Sequence, residues 1–233
     1  MPALEIPLRE DFSVAPEDYF GLGRNIFLAN PNAPTGMALT PAQIETILKA
    51  NPDSVVVIDE AYVDFGGESC IPLIKSYDNL LVIQTFSKSR SMAGARLGFA
   101  AGDEELIRDL NTIKFSINPY NINSMTLALG LGVLEDEETT RSNCRTIMEN
   151  RAYTVAELEK LGFTVLPSCA NFVFAASGKI GGQELYLRLK ERGVLIRHFD
   201  KPAISAYNRI TIGTREQMDI LLKNIREILE GPV

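Results

Sequence analysis

Histidine is almost absent from this sequence, which contains only His198 among its 233 residues. One imidazole cannot build a metal site of several histidines, and it would have to serve a catalytic triad alone. The sequence also lacks the G-x-x-x-x-G-K-[ST] phosphate loop, and its one tight glycine pair, Gly21 and Gly23, precedes a predicted strand instead of following one. These absences disfavour histidine-centred catalysis, a metal site and the common nucleotide-binding loops.

Cysteine is scarce as well, and its three residues, at positions 70, 144 and 169, show no C-x-x-C spacing. An odd number without that spacing indicates neither a disulfide framework nor a zinc knuckle, and it fits a reducing compartment. No run reaches the roughly 18 apolar residues of a membrane span. The first residues, MPALEIPLREDF, lack the basic and then apolar layout of a signal peptide. We therefore expect a soluble, cytoplasmic protein.

Positive charge is in the minority, with 23 Lys and Arg against 30 Asp and Glu and a net charge of −7. A nucleic-acid backbone attracts clustered Lys and Arg, which this sequence does not contain, so a nucleic-acid partner is disfavoured. With no membrane segment either, we expect the partners to be small molecules. The 45% of hydrophobic residues is enough to bury a real core.

Residues 26–101 alternate short apolar runs with amphipathic segments, a pattern typical of an α/β sheet covered by helices. The runs near Val55 and Leu80 are continuous, so we expect mostly parallel strands that are buried on both faces. Only about a dozen residues rich in Ser, Gly and Ala separate LLVIQ from RLGFAA, which is near the lower limit for a parallel crossover. RLGFAA is therefore predicted to run antiparallel to its neighbour.

The second half begins after a composition shift at the acidic run EDEETTRSN. Before it, the pattern predicts a helix over 104–110, an irregular SINPYN segment and an apolar helix over 122–134. After it come a long helix over 140–161, strands FTVLP and NFVFAA, a helix, strands VLIR and RITIG, and a last amphipathic helix. We predict a partial large domain over 1–137 and a small α+β domain over 138–233.

Polar side chains follow each of the predicted strands of the first half. In open α/β sheets ligands bind beyond the carboxyl ends of parallel strands, so these residues should share one crevice. An arginine and hydroxyls suit a phosphate, a lysine suits a carbonyl, and an acid suits a protonated ring nitrogen. This set matches the needs of pyridoxal 5′-phosphate. Its members are Asn30, Asn32, Asp59, Glu60, Tyr62, Thr85, Ser87, Lys88 and Arg96.

Four motifs carry a resemblance to a known family: NPNAPTG (30–36), VVVIDEAYVDF (55–65), TFSKSRSMAGARLG (85–98) and NRITIGT (208–214). They resemble the class I/II aminotransferases of fold type I, and among these most closely the histidinol-phosphate aminotransferases. The resemblance extends over essentially the whole chain. It implies the α/β fold of these transferases, pyridoxal 5′-phosphate as cofactor, and a homodimer.

By this resemblance, Lys88 holds the cofactor covalently and moves the proton at the substrate Cα, and it is buried beside other cations. Asp59 pairs with the pyridine nitrogen, and Tyr62 donates to the ring oxygen. Ser87 and Arg96 bind the cofactor phosphate, with Thr85 as a further candidate.

Three residues of the second half match substrate-binding positions of the family. Arg209 corresponds to the arginine that takes the α-carboxylate, and Arg197 to one associated with the distal anion of the substrate. Asn171 resembles a pocket residue of the small domain. The implied reaction transfers the amine of L-histidinol phosphate to 2-oxoglutarate, giving imidazole acetol phosphate and glutamate.

The sequence departs from the family pattern at two places. The asparagine that usually precedes PTG is replaced by Ala33, so either Asn32 contacts the ring oxygen or that contact is absent. Family members also have a segment before a stretch like EIPLREDF, and this chain begins almost there. The chain therefore resembles the C-terminal two-thirds of an enzyme. A related transaminase, a threonine-phosphate decarboxylase and a non-catalytic fragment stay open as alternatives.

The individual residues also have simpler explanations. Taken by itself, Lys88 could be an ordinary solvated surface lysine, and Asp59 could cap its own loop. Tyr62 could pack with its hydroxyl satisfied. Arg197 and Arg209 could form ordinary surface ion pairs. The combination of these residues at one sheet edge, more than any one of them, favours the cofactor site.

Overall fold

The apolar runs of the first half form a four-stranded sheet in the computed structural model, which describes residues 3–119 and 122–231. The strands β1 to β3 are parallel, and β4 pairs with β3 in the antiparallel direction. The predicted sheet, including the antiparallel direction of RLGFAA, is confirmed. In spatial order the strands are β1 (Ile26–Ala29), β2 (Val56–Asp59), β3 (Leu80–Thr85) and β4 (Gly98–Gly102).

One face of this first sheet is covered by helix α1 (Pro41–Ala50), which begins with a capping box between Thr40 and Gln43. Its apolar stripe packs against the first three strands to form a buried core. The other face is incompletely covered, because Phe27 and Ile83 are exposed there. The burial on both faces that the sequence predicts for the runs near Val55 and Leu80 holds at Val57 and Leu81 and is wrong at Ile83.

Two apolar helices follow the first sheet, α2 (Glu104–Ile117) and α3 (Ser124–Glu135). The prediction for α2 was too short, since the helix continues past 110 and includes Ser116 and Ile117, which were expected to be irregular. Residues 120 and 121 of the SINPYN segment lie outside the described residues. No residue of α2 is buried, and α3 buries only Thr126 and Gly130. These helices therefore present apolar side chains to solvent.

The second half folds into an antiparallel sheet with the spatial order β5-β6-β8-β7. The predicted order of elements is confirmed, although VLIR shortens to a two-residue edge strand that pairs only with β8. The bounds are α4 (Glu137–Lys160), β5 (Phe163–Val165), β6 (Phe172–Ser177), α5 (Gly182–Glu191), β7 (Arg197–His198), β8 (Tyr207–Thr211) and α6 (Arg215–Glu230).

The core of the second half lies between this sheet and its helices. Leu158 of α4, Leu189 of α5 and Leu222 of α6 are completely buried against Val173 and Ile210 of the sheet. Helix α6 begins with its own capping box, formed by Thr214 and Gln217. The predicted domain boundary between 137 and 138 falls at the start of α4 and stays a prediction.

No helix within residues 3–119 and 122–231 has both the length and the apolar character needed to cross a bilayer.

Candidate active site

The carboxyl ends of β1, β2 and β3 lie side by side. Ala29 is level with Asp59, and Asp59 is level with Ile83. Backbone hydrogen bonds continue this register one step further, from Asn30 N to the Asp59 carbonyl and from Glu60 N to the Ile83 carbonyl, both at 2.8 Å. The residues that follow the three strands therefore emerge along one edge of the sheet, as the strand order predicts.

Lys88 lies in the loop after β3 and points to the ring of Tyr62, with its Nζ 5.5 Å from the ring centroid. The Lys88 amine makes no hydrogen bond or ion pair with any described residue, and the side chain is exposed. The expectation of a buried amine is therefore wrong for this chain. The Tyr62 ring is the described group that lies against the amine, and it leaves the lysine open to solvent.

Asp59 is the last residue of β2, and it is also exposed. Its Oδ1 accepts a hydrogen bond from the Ala61 amide at 3.0 Å, which fixes the carboxylate at the strand end. No described residue donates to Oδ2. Asp59 can therefore cap its loop through Oδ1 and bind a ligand through Oδ2 at the same time.

Two hydroxyl groups and an arginine line one open pocket beside β3 and β4: Thr85, Ser87 and Arg96. Thr85 Oγ1 lies 2.9 Å from Ser87 Oγ and accepts a hydrogen bond from the Ser87 amide at 3.1 Å. Arg96 has a left-handed backbone with φ of 56°, which is uncommon outside glycine. Its Nη1 donates to the Ala93 carbonyl at 2.9 Å. The structure brings these three predicted residues together.

Asn32 lies in a different cavity, which it lines together with Phe12 and Met37. Its side-chain oxygen accepts a hydrogen bond from Thr35 at 2.9 Å, and its backbone carbonyl accepts one from the Gly36 amide at 2.8 Å. These bonds shape the NPNAPTG loop. The structure therefore does not bring Asn32 into the pocket of the hydroxyl groups and the arginine.

Two aromatic rings in contact connect Arg209 of β8 to the lysine side of the site. Its guanidinium carbon lies 5.1 Å from the centroid of the Phe172 ring, and the Phe172 and Tyr62 rings meet edge to face with centroids 5.1 Å apart. The order Lys88, Tyr62, Phe172, Arg209 is thus continuous. The Nε atom of Arg209 is buried without a hydrogen-bond partner among the described residues. A buried donor without a partner is costly unless a ligand supplies an acceptor.

The other two predicted substrate-binding residues, Arg197 and Asn171, lie on either side of β8, and only Arg197 is level with Arg209. Arg197 of β7 is directly opposite Arg209 in the sheet, so two cationic side chains start from adjacent positions. Arg197 is exposed, stacks on Phe199 at 5.5 Å, and lines a separate pocket beside α5. Asn171 immediately precedes β6, and its carbonyl accepts a hydrogen bond from the Ile212 amide at 2.9 Å.

Specific contacts connect the two halves around the site. Arg151 of α4 donates from one nitrogen, Nη1, to the carbonyls of Phe65 at 2.8 Å and Ala170 at 2.6 Å. The Cys169 amide donates to the Gly36 carbonyl at 2.8 Å. Gly36 has φ of 81°, and a Cβ there would meet the Ser168 hydroxyl at 2.3 Å, so only glycine fits. The NPNAPTG loop and the Tyr62 turn are thereby attached to the chain before β6.

Sequence reasoning placed Glu60 at this edge without a role, and the structure gives it a structural one. Its carboxylate is buried and accepts hydrogen bonds from Ser69 Oγ and the Cys70 amide, both at 2.6 Å, and from Gln84 Nε2 at 2.8 Å. Burial, aided by the Glu60 carboxylate, raises the pKa of the Cys70 thiol to about 12. Alternation along β2 is the signal that points Glu60 away from Asp59.

These features define the chain as an α/β protein that places a lysine, an acid, two hydroxyl groups and arginines around the carboxyl ends of its parallel strands. The profile of the family described as Aminotransferase class I and II matches residues 16–225. The chain belongs to this family, and its predicted fold, that of the fold type I transferases, is confirmed.

Three relatives illustrate the similarity. The chain is 47% identical over 229 residues to a protein named histidinol-phosphate aminotransferase from Brachyspira hyodysenteriae, covering 98% of this chain and 65% of that protein. The solved structure of the histidinol-phosphate aminotransferase from Clostridium acetobutylicum gives a TM-score of 0.85 at 26% identity, covering 96% of this chain and 70% of that one. A decarboxylase from Sulfurospirillum multivorans gives 0.84 at 26% identity, with 96% and 62% covered.

Pyridoxal 5′-phosphate is the cofactor of this family. The described residues fit that group. Lys88 offers an exposed amine beside Tyr62, and Asp59 has an oxygen to which no described residue donates. Thr85, Ser87 and Arg96 share one pocket. An amine, an acid and a cluster of phosphate-binding groups at one edge are the donor set that this cofactor requires.

Proposed function

We propose that this chain carries the lysine-centred active site of a histidinol-phosphate aminotransferase. The reaction transfers the amine of L-histidinol phosphate to 2-oxoglutarate and yields imidazole acetol phosphate and glutamate. The observation that carries the proposal is the continuous order Lys88, Tyr62, Phe172, Arg209, which joins an amine to a guanidinium whose Nε is buried without an acceptor among the described residues. The 47% identity to a protein of that name supports the choice within the family.

Bound pyridoxal 5′-phosphate would supply an aldehyde that condenses with amines and a ring that draws electrons from the substrate Cα. Lys88 would bind the cofactor through its amine and then take and return the proton at the substrate Cα. Its position in the loop after β3 suits both tasks, because hydrogen bonds on either side of Lys88 hold the loop backbone while the long side chain moves.

The groups around the lysine would orient the cofactor. Asp59 would hold a proton on the pyridine nitrogen through the oxygen that no described residue engages. Tyr62 would donate its hydroxyl to the ring oxygen, and Asn32 is the second candidate for that contact. Thr85, Ser87 and Arg96 would bind the phosphate, because hydroxyl and guanidinium donors suit phosphate oxygens.

Arg209 and Arg197 would bind the anionic groups of the two substrates, and Asn171, just before β6, is a further candidate for substrate binding. Two arginines directly opposite each other in a sheet repel, and an anion between them relieves that repulsion. The buried Arg209 Nε lacks an acceptor that a carboxylate or a phosphate would supply. Both features favour a substrate with an acidic group, as histidinol phosphate, 2-oxoglutarate and glutamate all have.

We further propose a cytoplasmic homodimer. Cysteines without a disulfide framework suit a reducing compartment, and all three are free in the structure. The apolar side chains exposed on α3 are consistent with burial against another surface.

Two other functions have a specific observation behind them. The similarity to the solved L-threonine-O-3-phosphate decarboxylase from Porphyromonas gingivalis, with a TM-score of 0.75 at 25% identity, favours a decarboxylase that acts on threonine phosphate. The exposure of Lys88, Asp59 and Arg96 favours a non-catalytic fragment. The chain spans 65% of the length of the curated relative.

The first experiment tests the cofactor site. The purified chain is mixed with pyridoxal 5′-phosphate, reduced with borohydride and digested, and the labelled peptides are identified by mass spectrometry. We expect one dominant label on Lys88 and a visible absorbance band, both lost in Lys88→Ala. Lys75→Ala, which removes an exposed lysine of another loop, is the matched control. Equal labelling of many lysines would support the fragment.

The second experiment tests the substrate. Histidinol phosphate with 2-oxoglutarate, and threonine phosphate alone, are offered to the loaded protein. Formation of glutamate supports the aminotransferase, whereas release of carbon dioxide from threonine phosphate supports the decarboxylase. A chain labelled at Lys88 that converts neither substrate would exclude both activities for this form of the protein.

A further inference from the structure

Three side chains that the cofactor site does not use meet beside the lysine loop. Ser89 Oγ donates to Asp64 Oδ2, and Arg90 Nη1 donates to the same oxygen at 3.1 Å. Ser89 is buried, and the Arg90 side chain is largely shielded and lies over the Phe86 ring at 5.1 Å. We call Asp64, Ser89 and Arg90 the loop clamp.

The loop clamp connects two parts of the site that are far apart in sequence. Asp64 lies in the short 3₁₀ turn Val63–Phe65, which follows Tyr62 directly. Ser89 and Arg90 follow Lys88 directly. The clamp therefore fixes the backbone after the lysine relative to the turn that carries the tyrosine.

Lys88 is held on both sides by this arrangement. Before it, the Ser87 amide donates to Thr85 Oγ1 at 3.1 Å. After it, the loop clamp holds Ser89. The loop then closes on itself, since the Ser91 amide donates to the Lys88 carbonyl at 3.2 Å and the Met92 amide donates to the Phe86 carbonyl at 3.0 Å.

We propose that Asp64 is a positioning residue for Lys88: through the loop clamp it sets where the lysine backbone lies, and so where the amine lies relative to Tyr62. The inference rests on the proposed function. Asp64 acts through the backbone of 88–90. A displacement of about 1 Å in a reacting group is enough to lower a rate by about a hundredfold, so a backbone anchor matters even without contact to the amine.

The charge of Asp64 matters as well as its hydrogen bonds. The Arg90 side chain is only 17% exposed, and removal of its carboxylate partner leaves a poorly solvated cation in the lysine loop. Asp64→Asn keeps an oxygen for the Ser89 hydroxyl and removes the charge, whereas Asp64→Ala removes both. The two variants therefore separate the two contributions.

The first measurement needs no cofactor. Hydrogen exchange of the Ser91 and Met92 amides reports the order of the loop, because both amides donate to carbonyls within it. We expect exchange to be about tenfold faster in Asp64→Ala, the effect of one lost charge-assisted hydrogen bond, and intermediate in Asp64→Asn. Amides of α6 should be unchanged, which shows that the variant is folded. Glu68→Gln removes an exposed acid of the same loop and is the control.

The second measurement follows borohydride-reducible labelling of Lys88 by pyridoxal 5′-phosphate. We expect the label on Lys88 to fall about tenfold in Asp64→Ala relative to the other lysines, and Ser89→Ala to show the same direction. Asp64→Asn should retain part of the label. Faster exchange with an unchanged label, or unchanged exchange, would overturn the positioning role.

The two measurements distinguish failure of the inference from failure of the proposed function. A wild-type chain that is not labelled at Lys88 overturns the proposed function, and the positioning role with it. A wild-type chain that is labelled, together with an Asp64→Ala chain that is labelled equally, overturns the positioning role alone.

Discussion

The two sheets of the molecule differ in how completely their faces are covered. In the second sheet, Val173 and Ile210 are sealed against three helices, whereas the first sheet leaves Phe27 and Ile83 exposed on the face opposite α1. The partly uncovered sheet nevertheless carries Lys88 and Asp59 at its edge. The comparison teaches that strand direction and strand-end chemistry are specified locally, whereas the burial of a site depends on what packs over it.

The largest difference in the free energy of unfolding should be seen between a buried and an exposed position of α6, the last helix of the second half. Leu222→Ala removes a side chain with 0% exposure, and we expect it to lower the free energy of unfolding by about 2–5 kcal/mol. Ile220→Ala on the same helix removes a side chain that is 55% exposed and should change it by less than about 0.5 kcal/mol. Urea denaturation followed by circular dichroism measures both. Equal effects would contradict the covered core.

A buried carboxylate tests the first sheet in the same way. Glu60→Ala leaves the Ser69, Cys70 and Gln84 donors without their acceptor, and we expect a loss of about 2–3 kcal/mol in the free energy of unfolding. Glu68→Ala, at an exposed position of the next loop, is the control. If the two variants unfold at the same urea concentration, the Glu60 network does not stabilise the sheet.

The helix caps provide a second comparison of the two halves. Their contribution to the free energy of unfolding should not depend on how completely the neighbouring sheet is covered. Thr40→Ala and Thr214→Ala each remove a capping box, one from each half, and each should cost about 1 kcal/mol. Thr46→Ala, inside α1, is the control and should not destabilise the helix, because alanine has the higher helix propensity. A cost confined to one half would show that caps depend on the sheet beneath them.

The smallest change in stability is expected at the exposed face. Phe27→Ser replaces a ring that is 75% exposed, and the free energy of unfolding should shift by less than about 0.5 kcal/mol. The same variant should reduce self-association, measured by analytical ultracentrifugation, since it removes part of an apolar patch. Phe65→Ser, at a buried ring, should instead be strongly destabilising. A large loss in Phe27→Ser would mean that this face is covered in solution.

Much of the fold was predictable from the sequence because the patterns are local. Continuous apolar runs and the short spacing before RLGFAA gave three parallel strands and one antiparallel strand, as the register shows. The sequence prediction ended α2 too early, at residue 110. The residues that end this helix, Asn118 and Pro119, lie further along the chain. The edge strand β7 was overestimated because apolar residues alone do not reveal how many neighbours a strand has.

The candidate site was predictable in its residue types and less so in its environment. Strand-end chemistry identified Lys88, Asp59 and the group of Thr85, Ser87 and Arg96. The exposure of the lysine was missed, since covering residues are not encoded beside it. Asp64 was also missed: its partners Ser89 and Arg90 lie 25 or 26 positions away, and only the fold brings them together. The assignment of roles to these residues stays a prediction.

The two carbonyls that share one nitrogen of Arg151 have a mechanical consequence. The Phe65 carbonyl ends the turn that begins at Tyr62, and the Ala170 carbonyl lies just before the strand that supports Phe172. One planar guanidinium group thus fixes the distance between the turn that carries Tyr62 and the segment that leads into Phe172, the ring beneath Arg209. A hinge movement between the two halves must therefore either keep both of these hydrogen bonds or break at least one of them.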